Sequence, residues 1–546
     1  MKEHVLAYFA LALLWAVAIG LAWPLGNFPL NDDWAYANDV RHLTETGILI
    51  LDDWPAMTRI AQIFWGAVFV KMAGFSYEVL RFSTIVLGYV GLMAAWFTFM
   101  EAGADKRSAL LASAVIALNP LYFSLSLTFM TDVPFLAFFL LSVFFFVKSA
   151  RTGLLRHVAW GAFFALLATL VRQTGIAVTF AFAVVWLLKS RRPVLSLPVA
   201  FAPLAICVTA YAVFTAWLEA AQGLPASWGS AGKLLARVGD ADFLEISAMR
   251  LGILTCYMGL FLLPFTMMAL HSRWQTAAPV LRWRAVGLAA LAVAAIWLAW
   301  PRLPWGNVVY NFGIGPKTLK DGVFSINVSP VLGTSLLGAV KLLAAAGGVL
   351  FVVHFALSFF GGVRSDRATQ LRTVFLLVLI SAYGGFLLLD KFFFDRYFLV
   401  LVPLCLYCMI QDKGDYMPES HVQKGMAKVE MAMALVLLLG IGSFSVTATH
   451  DYLAWNRARW LALDYLTRDK NIPPDRIDGG FEFNGLHKPG PKDSGGGKSW
   501  WWVDRDDYAV TFGDMPGFSK EKAFPYTRWL PPGRDSIFVL KRNEGD

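Results

Sequence analysis

The sequence predicts an all-α polytopic membrane protein with about 13 transmembrane helices, interfacial helices in its first external loop and a small C-terminal α+β soluble domain. Hydrophobic residues make up 57% of the chain and charged residues only 16%. Soluble proteins carry about 25% charged residues, so lipid is the expected solvent for most of this chain. Apolar runs long enough to cross a hydrocarbon core also recur along it.

The first apolar run, 5–23, is longer than the apolar core of a secretory signal, and many further runs follow it. We therefore expect a first helix that is retained in the mature protein. The predicted spans are 4–23, 79–100, 108–126, 133–150, 156–171, 174–189, 194–218, 246–270, 284–300, 333–360, 372–389, 394–411 and 428–448.

Basic residues are concentrated in alternate short loops, at 105–107, 148–156, 189–192, 273–284, 364–372 and 413–428. Loops rich in Lys and Arg stay on the cytoplasmic side, so the N-terminus is expected in the cytoplasm and the tail from His450 outside. This pattern accounts for the formal charge of +9 without a nucleic-acid partner. The expected location is a bacterial inner or plasma membrane.

Two domains are predicted. Residues 1–449 form a transmembrane module, in which the external loop 24–78 carries interfacial helices. Its second half, 58–74, is apolar with interspersed charges, which is typical of a helix lying in the membrane interface. Residues 450–546 are polar and rich in Gly and Pro, and form the predicted extracytoplasmic soluble domain, with a helix at 452–468 and strands at 476–483, 508–512 and 536–541.

Asp32 and Asp33 follow the first span by only a few residues, in the segment Asn31-Asp-Asp-Trp-Ala-Tyr36-Ala37. Adjacent carboxylates at a membrane surface are costly unless they are solvated, paired or bound to a cation. A carboxylate there suits general-base work on a hydroxyl group. The alternative is that Asp32 caps an interfacial helix whose first turn contains Asp33.

Asp132 precedes Pro134 where the fourth span begins, which is also an ordinary helix start. Its predicted side of the membrane is that of Asp32, so the two carboxylates are expected to share a site or a cation. Arg172 and Gln173 interrupt an otherwise apolar stretch. A guanidinium at that depth pairs with an anion such as a phosphodiester, or snorkels to the lipid headgroups.

The segment Lys391-Phe-Phe-Phe-Asp395-Arg396-Tyr397 begins the twelfth predicted span on the same side. Its cations are candidates for holding a lipid phosphate, and its aromatic side chains for lining an isoprenoid groove. Aromatic belts are also common at bilayer interfaces, so the aromatic residues alone do not distinguish the two readings.

Taken in order, these motifs resemble the GT-C superfamily of glycosyltransferases, in the branch of protein O-mannosyltransferases, lipid A aminoarabinose transferases and their bacterial relatives. That branch carries an acidic pair after its first span, matched by Asp32-Asp33, although its second acid is commonly Glu. The other matches are looser, and they are Arg81-Phe82-Ser83, Asp132-Val133-Pro134, Arg172 and Arg396-Tyr397. The resemblance covers the order of motifs over residues 1–410.

The resemblance implies an inverting glycosyltransferase that moves a sugar from a polyprenyl-phosphate donor to an acceptor hydroxyl at the extracytoplasmic face. The acceptor is a glycan, a lipid or a protein. Asp32 would be the catalytic base, with Asp33 and Asp132 orienting the acceptor or a divalent cation such as Mg²⁺ or Mn²⁺. The implied donor-phosphate residues are Arg172, Lys391, Arg396 and Tyr397, and the implied acceptor or sugar contacts are Tyr36, Gln173 and Asp395.

A transporter or flippase of a lipid-linked or hydrophilic solute is the main alternative. Such proteins place ionisable residues near the bilayer midplane, often on broken helices in two related halves. Here the charged motifs concentrate at one face and no related halves are evident, so the sequence favours the transferase.

Overall fold

The computed structural model describes residues 2–225, 228, 236–313, 332–363, 366–390, 392–410, 421–488, 502–503 and 505–543. Lys391, one of the predicted phosphate-binding residues, lies outside this part of the chain.

Helices dominate the described residues. They are α1 Lys2–Ala22, α2 Asp33–Thr46, α3 Ile60–Ala73, α4 Tyr77–Glu101, α5 Lys106–Ala117, α6 Pro120–Ser126, α7 Asp132–Thr152, α8 Leu155–Thr169, α9 Ile176–Lys189, α10 Pro193–Gln222, α11 Phe243–Phe261, α12 Leu263–Thr276, α13 Pro279–Ala299, α14 Thr334–Val363, α15 Arg367–Leu389, α16 Leu401–Ile410, α17 His421–Asp464 and α18 Phe481–His487. Most of the buried side chains form one continuous apolar core.

Within the described ranges, eight helices are long and apolar enough to cross a membrane, or up to nine if α5 and α6, which meet at 62°, form one bent span. Shorter apolar helices lie at Leu6–Ala22, Ile60–Ala73, Leu155–Thr169 and Gln173–Lys189. The predicted fold class, a helical polytopic membrane protein, is therefore confirmed. The count of thirteen spans stays a prediction.

The segment between α1 and α4, which is predicted to be the first external loop, folds into α2 and α3, joined by a loop at residues 47–59. Buried contacts fix this loop to the turn between α8 and α9. The Thr58 hydroxyl donates to the Thr169 carbonyl at 2.7 Å, and the Arg59 amide donates to the Val171 carbonyl at 3.0 Å. The loop that follows α2 is thus held against the hairpin that contains Arg172.

The C-terminal region combines the C-terminal part of α17 with α18 and a four-stranded sheet. The strands are β1 Ile477–Asp478, β2 Tyr508–Thr511, β3 Phe518–Trp529 and β4 Pro532–Arg542, in the order β1-β2-β4-β3. Strands β3 and β4 form a long antiparallel hairpin, and β1 pairs with β2 in parallel. The predicted α+β character is confirmed. Helix α17 runs without a break through the predicted domain boundary at residue 449, and the division there stays a prediction.

Candidate active site

Asp32 lies at the N-cap position of α2, but its side chain makes no capping hydrogen bond. Its Oδ2 atom lies 3.0 Å from Nη1 of Arg396, and its Oδ1 atom accepts a hydrogen bond of 2.9 Å from the indole of Trp54. The capping alternative is therefore wrong for this side chain. The carboxylate is 15% exposed, so it is paired and still accessible.

Asp132 forms the second ion pair of the site. Its Oδ1 atom lies 2.8 Å from Nη2 of Arg172, and both side chains are buried. This contact lacks the alignment of a hydrogen bond, so neither carboxylate oxygen has a hydrogen-bond partner among the described residues. The hydroxyl of Thr131 accepts hydrogen bonds from Nε and Nη2 of Arg172, at 2.9 and 2.7 Å. A buried, paired Arg172 does not snorkel to the headgroups, and Thr131 makes no side-chain cap on α7.

The ring of Tyr397 contacts both arginines. The guanidinium carbon lies 5.3 Å from the ring centroid in Arg172 and 5.6 Å in Arg396, which is within cation–π range. Asp32, Asp132, Arg172 and Arg396 thus form one group at the end of the bundle where α2 and α7 begin, and we call these four residues the charged cluster.

Tyr36 lies on α2 beneath this cluster and is fully buried. Burial raises the pKa of its phenol, and the Asp32 carboxylate raises it further, whereas the charges of Arg396 and Arg172 oppose the rise. Its hydroxyl donates to the sulfur of Met57 at 3.4 Å. The phenol therefore stays protonated between the two ion pairs.

Asp33 lies outside the charged cluster. Its two carboxylate oxygens accept hydrogen bonds from the backbone amides of Leu30, at 2.6 Å, and Phe129, at 3.1 Å. Burial raises its pKa to about 8, although these two amides and the charge of Arg81 lower it. These hydrogen bonds join the start of α2 to the turn before α7, and the catalytic role of Asp33 stays a prediction.

Asp395 and Gln173, two predicted sugar contacts, also bind backbone groups. The carboxylate of Asp395 is fully buried and accepts from the amides of Val308, at 3.2 Å, and Val309, at 2.8 Å. The side chain of Gln173 donates to the carbonyl of Ala56 at 3.2 Å. Both residues fix loops around the charged cluster, because inward-facing polar groups bind the nearest backbone rather than solvent.

The sequence prediction missed Trp54 and Arg59. The fully buried guanidinium of Arg59 lies 2.6 Å from Asp39 and donates to three backbone carbonyls of the loop that carries Trp54. A signal for Trp54 was present, since Asp52-Asp53-Trp54 repeats the tripeptide at 32–34. Nothing in the local pattern indicates that the second tryptophan donates to an aspartate of the first tripeptide.

The three aspartates do not converge as metal ligands. Asp32 and Asp132 pair with different arginines, and Asp33 binds backbone amides. Across the described ranges, no three His, Cys, Asp or Glu side chains are grouped so that they could hold a metal ion. The predicted cation therefore does not fit these residues as they are arranged.

The structure thus combines apolar helices long enough to cross a membrane with a charged cluster and a small C-terminal sheet, the architecture of a polytopic membrane protein. Residues 62–217 match the family described as dolichyl-phosphate-mannose-protein mannosyltransferase. Over these residues the match agrees with the predicted resemblance to the O-mannosyltransferase branch of the GT-C superfamily. It includes Asp132 and Arg172, whereas Asp32 and Arg396 lie outside the matched residues.

Several solved structures are similar to this chain. The protein O-mannosyltransferase complex of S. cerevisiae, bound to its sugar donor, is 20% identical, with 43% of this chain and 35% of that chain covered and a TM-score of 0.34. The oligosaccharyltransferase of Archaeoglobus fulgidus, with an inhibitory peptide and a dolichol-phosphate, is 13% identical, with 86% and 58% covered and a TM-score of 0.43.

ArnT from Cupriavidus metallidurans, bound to undecaprenyl phosphate, is 12% identical, with 100% of this chain and 98% of that chain covered and a TM-score of 0.40. The present chain thus spans 35% and 58% of the length of the first two structures. No curated protein is a significant match to the sequence.

Proposed function

We propose that this protein transfers a sugar from a polyprenyl-phosphate donor to an acceptor hydroxyl at the extracytoplasmic membrane boundary, with inversion at the anomeric carbon. The observation that carries the proposal is the charged cluster, in which two carboxylates and two guanidinium groups from distant parts of the chain lie around one tyrosine ring. The description of the matched family names dolichyl-phosphate-mannose, which is a donor of this chemical class.

Asp32 is the proposed general base. It is the more exposed carboxylate of the cluster, at 15% against 2% for Asp132, so an acceptor hydroxyl reaches it more readily. It takes the proton of that hydroxyl while the oxygen attacks the anomeric carbon. The bond from that carbon to the phosphate oxygen breaks on the opposite face, which inverts the configuration.

Arg396 and Arg172 are the proposed donor-phosphate residues. The phosphate gains negative charge as it leaves, so positioned guanidinium groups stabilise the transition state more than the bound donor. Without donor, each guanidinium is balanced by an aspartate. Since Arg396 contacts Asp32 directly, a phosphate on Arg396 is held next to the base.

The positive charge that balances the donor phosphate comes from side chains of the protein. The two buried arginines supply the charge for which many phosphate-transferring sites use a divalent ion. We therefore propose that transfer proceeds without an added metal. Tyr397 and Phe394 both contact the guanidinium of Arg396, and they are the proposed aromatic lining for the isoprenoid tail of the donor.

Asp32→Asn tests the proposed base. We expect transfer from a panel of polyprenyl-phosphate sugars to fall by about 100-fold or more, because general-base catalysis contributes about 10²–10⁴-fold. The binding of sugar-free polyprenyl phosphate should be retained. Turnover and the anomeric configuration of the product are measured by chromatography and NMR.

The matched control is Glu45→Gln, which neutralises an exposed carboxylate on the same helix α2. It should turn over like wild type. Full turnover by Asp32→Asn would remove Asp32 from the role of base, and a product of retained configuration would contradict the direct displacement.

A further inference from the structure

The indole of Trp54 ties the candidate base to the C-terminal domain. Its Nε1 donates to Oδ1 of Asp32, while the other oxygen of that carboxylate pairs with Arg396. A carboxylate with both oxygens bound to fixed donors has one orientation. Trp54 is therefore placed to direct the free lone pairs of Asp32.

Aromatic rings of the C-terminal domain pack against Trp54 and fix its position. The ring of Trp502 packs edge to face against Trp54, with centroids 4.9 Å apart, and against Trp34 at 5.9 Å. Phe481 of α18 lies 5.8 Å from Trp54 and 5.8 Å from Trp502. We call Trp34, Trp54, Phe481 and Trp502 the aromatic clamp. Its members come from both sides of the junction between the transmembrane module and the C-terminal domain.

The backbone of the C-terminal domain adapts to this packing. Trp502 has a φ of +59°, a left-handed conformation that bulky residues rarely adopt. Such a conformation persists only where the surroundings over-determine it, and it is concentrated at functional sites. A Cβ at Gly485 of α18 would lie 2.6 Å from the Trp34 ring, so only glycine allows the helix this close. Trp502 as a whole is 6% exposed.

An ionic contact spans the same junction. The ammonium group of Lys488 lies 3.0 Å from Asp52 and 2.8 Å from Asp53, the two residues before Trp54. Since the exposed part of this contact is screened by water, it contributes little by itself. It does fix the backbone of the loop on which Trp54 stands, from the same side as Trp502.

We infer that Trp54 is a positioning residue for the base Asp32 and that Trp502 holds Trp54 in place, so that the C-terminal domain completes the active site. The inference rests on the proposed function and deepens it. The chemical step belongs to Asp32. The role of the clamp is to set the direction in which the acceptor proton leaves.

Three variants and a control test this inference. Trp54→Phe keeps an aromatic ring but removes the N–H donor, Trp502→Ala removes the packing, and Trp502→Phe retains a ring that packs edge to face. Trp529→Phe is the control, because Trp529 is an aromatic residue of the same domain that stacks on His450 instead, at 3.8 Å.

We expect Trp54→Phe and Trp502→Ala to lower kcat about tenfold, the effect of losing one hydrogen bond to a charged group, with donor KM changed less than about twofold. Trp502→Phe should recover most of the lost kcat, and Trp529→Phe should match wild type. The inference is overturned if Trp54→Phe leaves kcat unchanged, or if the variants mainly raise the KM for the donor.

A second measurement needs no turnover. A hydrophobic carbodiimide modifies protonated carboxyl groups, and mass spectrometry gives the rate for Asp32 relative to Asp132 at fixed pH. Removing the N–H donor leaves Oδ1 of Asp32 without this hydrogen bond and open to the reagent, so we expect modification several-fold faster in Trp54→Phe and Trp502→Ala. Equal rates in wild type and both variants overturn the inference. Wild type that transfers no sugar would refute the proposed function alone, and the modification rates then still decide the inference.

Discussion

At the residue scale, each arginine of the charged cluster lies against one aspartate. Taking one partner from a buried ion pair leaves a charge with neither water nor a counter-ion. The pairs therefore hold the site in shape before donor binds. In the proposed function, the donor phosphodiester competes with the aspartates for the guanidinium groups, which its two free oxygens can bind in the same forked geometry as a carboxylate.

Arg172→Ala tests whether the ion pair stabilises the fold and whether Arg172 binds the donor phosphate. Asp132 is left buried without its counter-ion, so the free energy of unfolding should fall by about 3–5 kcal/mol. The affinity for sugar-free polyprenyl phosphate should also fall markedly. Thermal unfolding in detergent and calorimetric titration measure the two effects.

The double variant Arg172→Gln with Asp132→Asn separates stability from binding. Neutralising both partners removes the unpaired charge, so we expect much of the lost stability to return while phosphate binding stays weak. If the double variant bound polyprenyl phosphate as tightly as wild type, Arg172 would not belong to the donor site.

At the element scale, the turn between α8 and α9 sets the position of Arg172. Gly175 packs directly on the end of α8, since a Cβ there would lie 2.6 Å from the backbone nitrogen of Thr169. A side chain at this position pushes against backbone, which cannot rotate away. The turn must then open, and Arg172 moves with it.

We predict that Gly175→Ala destabilises the protein by about 1–3 kcal/mol, the usual cost of overpacking. It should also weaken polyprenyl-phosphate binding, because the guanidinium shifts relative to Arg396. Gly385→Ala is the control, since a Cβ in that part of α15 meets nothing within 4 Å. Unfolding temperature and binding are measured for both, and equal behaviour of the two variants would refute a positional role for this turn.

The sequence predicts an element well when the segment is long and its apolar residues follow a regular pattern. Long apolar runs define helices clearly, and a helix lies over each predicted span. The predicted strand 476–483 is mostly wrong, because β1 covers only residues 477–478 and α18 begins at Phe481. The carboxylate of Asp478 binds the Gly480 amide and the Asn484 side chain, and so starts a helix where alternation suggested a strand.

At the scale of the whole molecule, the site joins residues that are far apart in the chain. Asp32 and Arg396 are separated by 364 positions, and Asn31 and Glu482 by 451. The order and sidedness of the motifs were enough to predict that Asp32, Asp132, Arg172 and Arg396 meet. The sequence did not predict that Asp33 binds backbone amides or that Trp502 packs on Trp54. Both contacts depend on tertiary packing, which leaves no periodic signal in the local sequence.

Glu482 is the polar link that joins the C-terminal domain to the residue before the candidate base. Its Oε2 lies 2.7 Å from Nη1 of Arg459, and its Oε1 accepts from the amide of Asn31 at 3.0 Å. Both charged side chains are less than 10% exposed. Asn31 has a φ of +55°, a left-handed conformation that asparagine tolerates better than most residues. The bend that presents Asp32 to the site is thus held from the C-terminal domain.

We predict that Glu482→Gln lowers the free energy of unfolding by about 3 kcal/mol, because Arg459 is left as a buried cation. The turnover number should fall as well, since Asn31 loses a charged acceptor and the start of α2 loosens. Glu521→Gln is the matched control in the same domain, because its pair with Lys470 is partly exposed and should contribute only about 0–1 kcal/mol. Thermal unfolding and transfer rates are measured for both variants. Equal changes would mean that the link through Glu482 has no special role, and that the domain and the bundle are stable independently of each other.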